Sequence, residues 1–113
     1  MSAMTEFRFL YLPVDDLEVA ARFYVDALGF EEAWRDGDLS VGLWMPGGAG
    51  QVMLSMSGKP AGPMYLVESL EAWIDEHPDA AIAVERDAAG SGTVAGFTDP
   101  GGNIFYIFDQ PSA

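Results

Sequence analysis

The 113-residue chain has no cysteine. Disulfide stapling and thiol chemistry are therefore excluded, and a reducing compartment is favoured. Positive charge is scarce as well: five Lys and Arg stand against eighteen Asp and Glu, for a formal net charge of −13. Phosphate backbones are held by clustered Lys and Arg, so nucleic acid is a poor candidate partner, and anionic membrane surfaces are disfavoured for the same reason. There is a single histidine, His77, which rules out a centre built from several imidazoles. No apolar run approaches the ~20 residues of a membrane helix. No basic region followed by an apolar core opens the chain, so no signal peptide is expected. A soluble, cytoplasmic protein is the expectation.

What the chain does have is repetition. Leu12-Pro13-Val14-Asp15-Asp16-Leu17-Glu18-Val19-Ala20 recurs in outline as Tyr65-Leu66-Val67-Glu68-Ser69-Leu70-Glu71-Ala72-Trp73, an offset of 53 residues. The same offset carries Gly50 to Asn103, Val52 to Phe105, Met53 to Tyr106 and Leu54 to Ile107. A repeat of this length implies two similar supersecondary units that share a core.

Local patterns fill in each unit. Residues 7–14 read as a strand. Asp15 and Glu18 are spaced as a capping box that opens a helix at about Asp16. Leu17, Ala20, Ala21, Tyr24 and Leu28 then form one apolar face, and Gly29 closes the helix at C′. Strands follow near 31–35, 39–45 and 51–57, with turns at Gly37 and Pro46-Gly47-Gly48. Gly58-Lys59-Pro60-Ala61-Gly62-Pro63 reads as the joint. The second unit has a strand at about 63–67 and Ser69 as N-cap. Its helix face comprises Leu70, Trp73, Ile74 and His77, and Pro78 ends it. Strands near 81–86, 93–98 and 103–109 complete it, and Ala88-Ala89-Gly90-Ser91-Gly92 reads as an exposed, mobile loop. His77 is expected to pack against the helix or to bond its last carbonyls. The fold class is α+β: two βαβββ modules, about 5–58 and about 62–110 of a single domain, with curved mixed sheets around a shared cleft.

Val14-Asp15-Asp16-Leu17-Glu18, Arg22-Phe23-Tyr24 and Ala27-Leu28-Gly29-Phe30 resemble the opening of the vicinal-oxygen-chelate superfamily. That superfamily includes glyoxalase I, the extradiol dioxygenases and the bleomycin-resistance binding proteins. Asp99-Pro100-Gly101-Gly102-Asn103 and Ile104-Phe105-Tyr106 resemble its closing turn and last strand. The resemblance spans about residues 7–109 and specifies fold more than activity. It implies a metal-ligand set at Phe9, Met53, Gly62 and Tyr106. Divalent ions of this class take imidazole, carboxylate or thiolate donors, and these four residues supply none. No metal, no cofactor and no catalytic residue is therefore assigned.

Strand alternation places Phe7 and Tyr11 with Phe9, and Ile104 and Phe108 with Tyr106. Trp34, Trp44, Met53 and Met56 are candidates to join them. The expected ligand-binding residues are Phe9, Tyr11, Trp34, Trp44, Met53, Tyr106 and Phe108. Aromatic faces bind flat or cationic ligands by stacking and cation–π attraction, and the acidic composition attracts cations. Glu31 and Glu32, beside Trp34, are candidate electrostatic contacts. The reading is a metal-free small-molecule binder of the bleomycin-resistance type, sequestering a cationic aromatic antibiotic. The alternative is a metal-independent or atypical-metal lyase, isomerase or dioxygenase-like enzyme using Tyr106 and Glu68 as acid–base groups. A third possibility is an interaction module whose aromatics meet a partner chain. A homodimer is expected, because each half is too small to close a deep core alone.

Overall fold

The computed structural model describes residues 6–89 and 92–110. Its elements run β1 (Glu6–Pro13), α1 (Leu17–Leu28), β2 (Glu31–Asp36), β3 (Ser40–Trp44), β4 (Gln51–Ser55), β5 (Gly62–Val67), α2 (Leu70–Glu76), β6 (Ala81–Ala89), β7 (Gly92–Thr98) and β8 (Ile104–Asp109). This is the α+β pattern of strand, helix and three strands, written twice. The chain divides into two compact units, Phe9–Ala61 and Gly62 onward, and residues 6–8 group with the latter.

In the first unit the sheet order is β2-β3-β4-β1. β1 runs parallel to β4, and β3 pairs antiparallel with both β4 and β2. Helix α1 covers one face. Its Leu17 and Ala21 pack on Val41, Leu43, Val52 and Leu54, with Leu10, Leu12 and Tyr24 around them. Burying each of the fully buried Leu and Val side chains contributes about 1.5–3 kcal/mol, which is what holds an otherwise marginal helix on the sheet. Leu28, expected on the same face, is instead 46% exposed. It sits in the last turn of α1 and is not among the residues of that core.

The start of α1 also differs from expectation. Asp16, not Asp15, is the N-cap, and its Oδ1 accepts the Val19 N–H at 3.1 Å. With the cap one residue later, the third helical position is Val19 and no capping box can form. Glu18 instead accepts from Arg35 Nη1 at 2.6 Å, and Arg35 also reaches Glu32 at 3.0 Å. The helix end is as expected. Gly29 takes the left-handed conformation (φ 76°) that a Cβ would disfavour. Its N–H donates to the Val25 carbonyl and that of Phe30 to Tyr24, and the first of these is the C′-to-C3 bond of an αL cap.

The second unit repeats the plan, with sheet order β5-β8-β7-β6. β5 runs parallel to β8, and β7 is antiparallel to β8 and β6. Helix α2 is capped by Ser69, whose Oγ accepts the Ala72 N–H at 3.2 Å. Leu70 and Trp73 pack on Ala95, Phe97 and Ile107. The carboxylate of Asp109, 8% exposed, accepts from Leu70 N at 2.7 Å and Thr93 N at 2.9 Å. One buried acid thus ties the ends of β8 and β7 to the start of α2, and its burial is compensated by those donors. The loop expected at 88–92 is shorter than the sequence suggests. Ala88 pairs with Thr93 and Ala89 with Gly92 in a hairpin, so only Gly90 and Ser91 remain of that segment, and they lie outside the described residues. The strand expected to reach residue 57 ends at Ser55, leaving Met56 41% exposed.

Candidate functional site

Strand pairing fixes which side chains share a face. In the first unit, Phe9 aligns with Gln51, Gln51 with Trp44, and Trp44 with Glu31. The next row on the same face is Tyr11, Met53, Gly42 and Trp34. Both rows lie opposite α1, because Leu10, Val52 and Leu43, one residue along in each strand, face the helix. The sequence-derived residues Phe9, Tyr11, Trp34, Trp44 and Met53 are therefore gathered on one helix-free face.

A β-bulge makes this possible. The register between β2 and β3 shifts between Glu32 and Trp34, leaving Ala33 unpaired. The extra residue returns Trp34 to the helix-free side. It also sends Glu32 to the helix side, opposite Leu43, where it pairs with Arg35. The carboxyl of Glu32 is held below the usual glutamate range, first by its hydrogen bond from Arg35. Glu32 is thus already engaged by Arg35 and does not stand beside Trp34, while Glu31 shares a row with Trp44.

Trp34 is closely held. Its indole sits over Gly42, where an added Cβ would collide with Cε2 and Nε1. Its Nε1–H donates to Gln51 Oε1 at 2.7 Å. The ring of Phe9 meets it edge-on, 6.0 Å between centroids at 86°. Tyr11 is 6% exposed and its hydroxyl bonds Ser57 Oγ, whereas Trp44 is 45% exposed. Neither Gln51 nor Gly42 was identified from the sequence. A glutamine at a strand end and a glycine inside a strand acquire meaning only through the register.

The second unit contains the equivalent row: Met64, Tyr106, Gly96 and Val84. A bulge between Ile82 and Val84 matches the one at Ala33, and Gly96 lies under Val84 and Tyr106. Tyr106 and Phe108 are on the helix-free face of this sheet, and both are buried, at 2% and 3% exposure. Phe7 groups with this unit, its ring against the edge of Tyr65 at 6.1 Å. Tyr106 and Glu68 are not brought together. Tyr106 aligns with Met64, and Glu68 lies four residues further on, roughly 13 Å along an extended chain.

The implied metal set fails on donor chemistry. Phe9 has no lone pair, and Met53 offers only a thioether. A side chain at Gly62 would run into the Ile104 carbonyl, and the buried Tyr106 would have to ionise. Among the described residues, no group of three His, Asp or Glu side chains is placed to hold an ion.

His77 caps α2. Its ring stacks on Trp73 (4.1 Å, 18°) and its Nδ1 lies 2.7 Å from the Trp73 carbonyl. Beside it a groove of about 430 Å³ is lined by Trp73, His77 and Phe105 and by the acids Glu76, Asp79 and Asp99. Asp99 accepts from the backbone of Gly101 and Asn103, both at 2.9 Å. With the Asn103 amide side chain, these bonds hold its carboxyl below the usual aspartate range.

The family model described as Glyoxalase/Bleomycin resistance protein/Dioxygenase superfamily matches residues 6–107. No curated protein matches the chain. Among solved structures, a glyoxalase/bleomycin resistance protein/dioxygenase superfamily member from Vibrio splendidus 12B01 is similar at TM-score 0.68 and 21% identity. That match covers 96% of this chain and 100% of the other. Methylmalonyl-CoA epimerase from Mycobacterium tuberculosis is similar at TM-score 0.67 and 19% identity, covering 96% and 89%. The Mn(II)-bound glyoxalase from Novosphingobium aromaticivorans is similar at TM-score 0.61 and 21% identity, covering 96% of this chain and 40% of that one. At such identities the likeness is one of fold.

Proposed function

The chain belongs to the glyoxalase/bleomycin resistance protein/dioxygenase superfamily, and from that premise we propose that it is a metal-free small-molecule binder whose ligand is cationic and aromatic. The observation that carries this reading is the row structure of the first unit. Phe9 and Met53 occupy two implied metal-ligand places, and they share a helix-free face with Tyr11, Trp34 and Trp44. The side chains at those two places, a phenyl ring and a thioether, are poor ligands for a divalent ion, and the rings beside them suit a flat cation through stacking and cation–π attraction. Methionine adds a polarizable, adaptable contact. The net charge of −13 favours encounter with a cation. Bleomycin, part of the family's own description, is a natural first ligand to try.

The test is a thermal-shift titration with bleomycin and with N-methylacridinium, a plain flat monocation. Ligand binding to the folded state raises the apparent melting temperature by mass action. At least one of the two is expected to raise it, and the rise should shrink at 1 M salt, where the Debye length falls to about 3 Å. Phe9→Ala should weaken binding by roughly 1–3 kcal/mol. Elemental analysis of protein purified without chelator should find less than one metal per chain. A tightly held stoichiometric metal, or indifference to both cations, would overturn the proposal.

A further inference from the structure

We propose that Gln51 and Gly42 are positioning residues that hold the Trp34 indole in one orientation, making it a preformed stacking wall for a flat cationic ligand. This rests on the binding role given above to the helix-free face of the first unit, and it adds which residues set the geometry there.

The two units supply an internal control. Gly42 and Gly96 occupy the same place in equivalent rows, each opposite a bulged edge strand. In the second unit the space over Gly96 is taken by Val84 and Tyr106. There the edge-strand side chain, Val84, has no polar atom, and the ring of Tyr106 shares the space with it. In the first unit the same space holds an indole, and its only donor is matched to an acceptor, Gln51 Oε1, at 2.7 Å. That is more than filling requires. The glycine lets the ring approach the sheet backbone, the hydrogen bond fixes its rotation, and Phe9 braces it edge-on at 6.0 Å. Trp34 remains partly exposed in this arrangement. A ring held by three separate contacts loses little further freedom when a ligand stacks on it, and such pre-organisation is a direct source of affinity.

Two variants separate orientation from filling. Gln51→Leu removes the acceptor and keeps the bulk. Gln51→Glu keeps an acceptor oxygen at the same reach. The readouts are the Trp34 indole N–H resonance, identified as the one missing in Trp34→Phe, and the affinity for N-methylacridinium. In Gln51→Leu the resonance should move upfield, away from hydrogen-bonded values. The acridinium dissociation constant should rise roughly three- to tenfold, the range set by one neutral hydrogen bond. Gln51→Glu should restore both. Gly42→Ala, which collides with the ring, should move the resonance and weaken binding by at least as much. The spectrum itself reports whether each variant is folded. A resonance unmoved by Gln51→Leu overturns the assigned orientation. A moved resonance with unchanged affinity overturns the positioning role. If wild-type protein ignores acridinium, the stacking wall falls, and the binding role falls with it only if bleomycin is ignored as well; a moved resonance would still establish that Gln51 orients the ring.

Discussion

Phe9 and Tyr106 are both aromatic residues at implied ligand places, yet they answer to different forces. Tyr106 is 2% exposed, against Val84 and Gly96, so Tyr106→Ala should cost about 3–5 kcal/mol of stability in urea denaturation. Phe9 is only partly buried, so Phe9→Ala should leave the protein folded and act mainly on ligand affinity. Equal loss of stability in the two variants would contradict this. Asp99 gives a second prediction. Its carboxyl is held below the usual range by turn donors. A group with a lowered folded pKa adds stability that is fully present above its unfolded pKa, near 3.9, and is lost as pH falls through the folded value. The urea midpoint of Asp99→Asn should therefore fall less than that of wild type on acidification below about pH 4. A parallel decline would argue against the turn's role. Single residues were legible in the sequence where local chemistry decides them, as at Ser69, Gly29 and His77. Gln51 was not, because its role depends on an indole seventeen residues away.

Elements were legible wherever periodicity was strong. Both helices and all eight strands fall close to where composition put them. Errors arose at boundaries governed by one hydrogen bond or by one extra residue. The capping shift from Asp15 to Asp16 is of the first kind. Asp16→Ala should destabilise by about 1 kcal/mol and Asp15→Ala by much less, measured by chemical denaturation. The reverse ranking would restore the capping box. The bulges at Ala33 and Ala83 are of the second kind. A bulge inverts which side chains face the helix beyond it, so face assignment in β2 could not be read by counting alternate residues. The repeat offset of 53 also holds only for the strand before each helix, the start of the helix and the last strand of each unit. Gly42 corresponds to Gly96 and Trp34 to Val84, which a fixed offset misses.

On the scale of the whole molecule, exposed apolar surface favours association, against the mutual repulsion of copies that each carry a formal net charge of −13. Val19 and Phe23, one turn apart on α1, are 59% and 56% exposed, although these are large hydrophobic side chains. Units of this size bury a modest fraction of their surface alone, and each sheet has an outer strand with unpaired backbone. A homodimer is the expected state, checked by light scattering at micromolar concentration. A monomer mass there would count decisively against it. No helix among the described residues is long and apolar enough to cross a membrane. The glycines beneath Trp34 and Val84 carry one last consequence, which concerns ancestry. Both halves keep the glycine, the bulge alanine and the strand pairing, whereas the side chains resting on the glycines differ. Shared features are most simply inherited from the single unit that was copied, and unshared ones acquired after the copying. The vacancy in the sheet is on this account older than either of its occupants, and duplication left one half free to keep an inert filler while the other took up an indole.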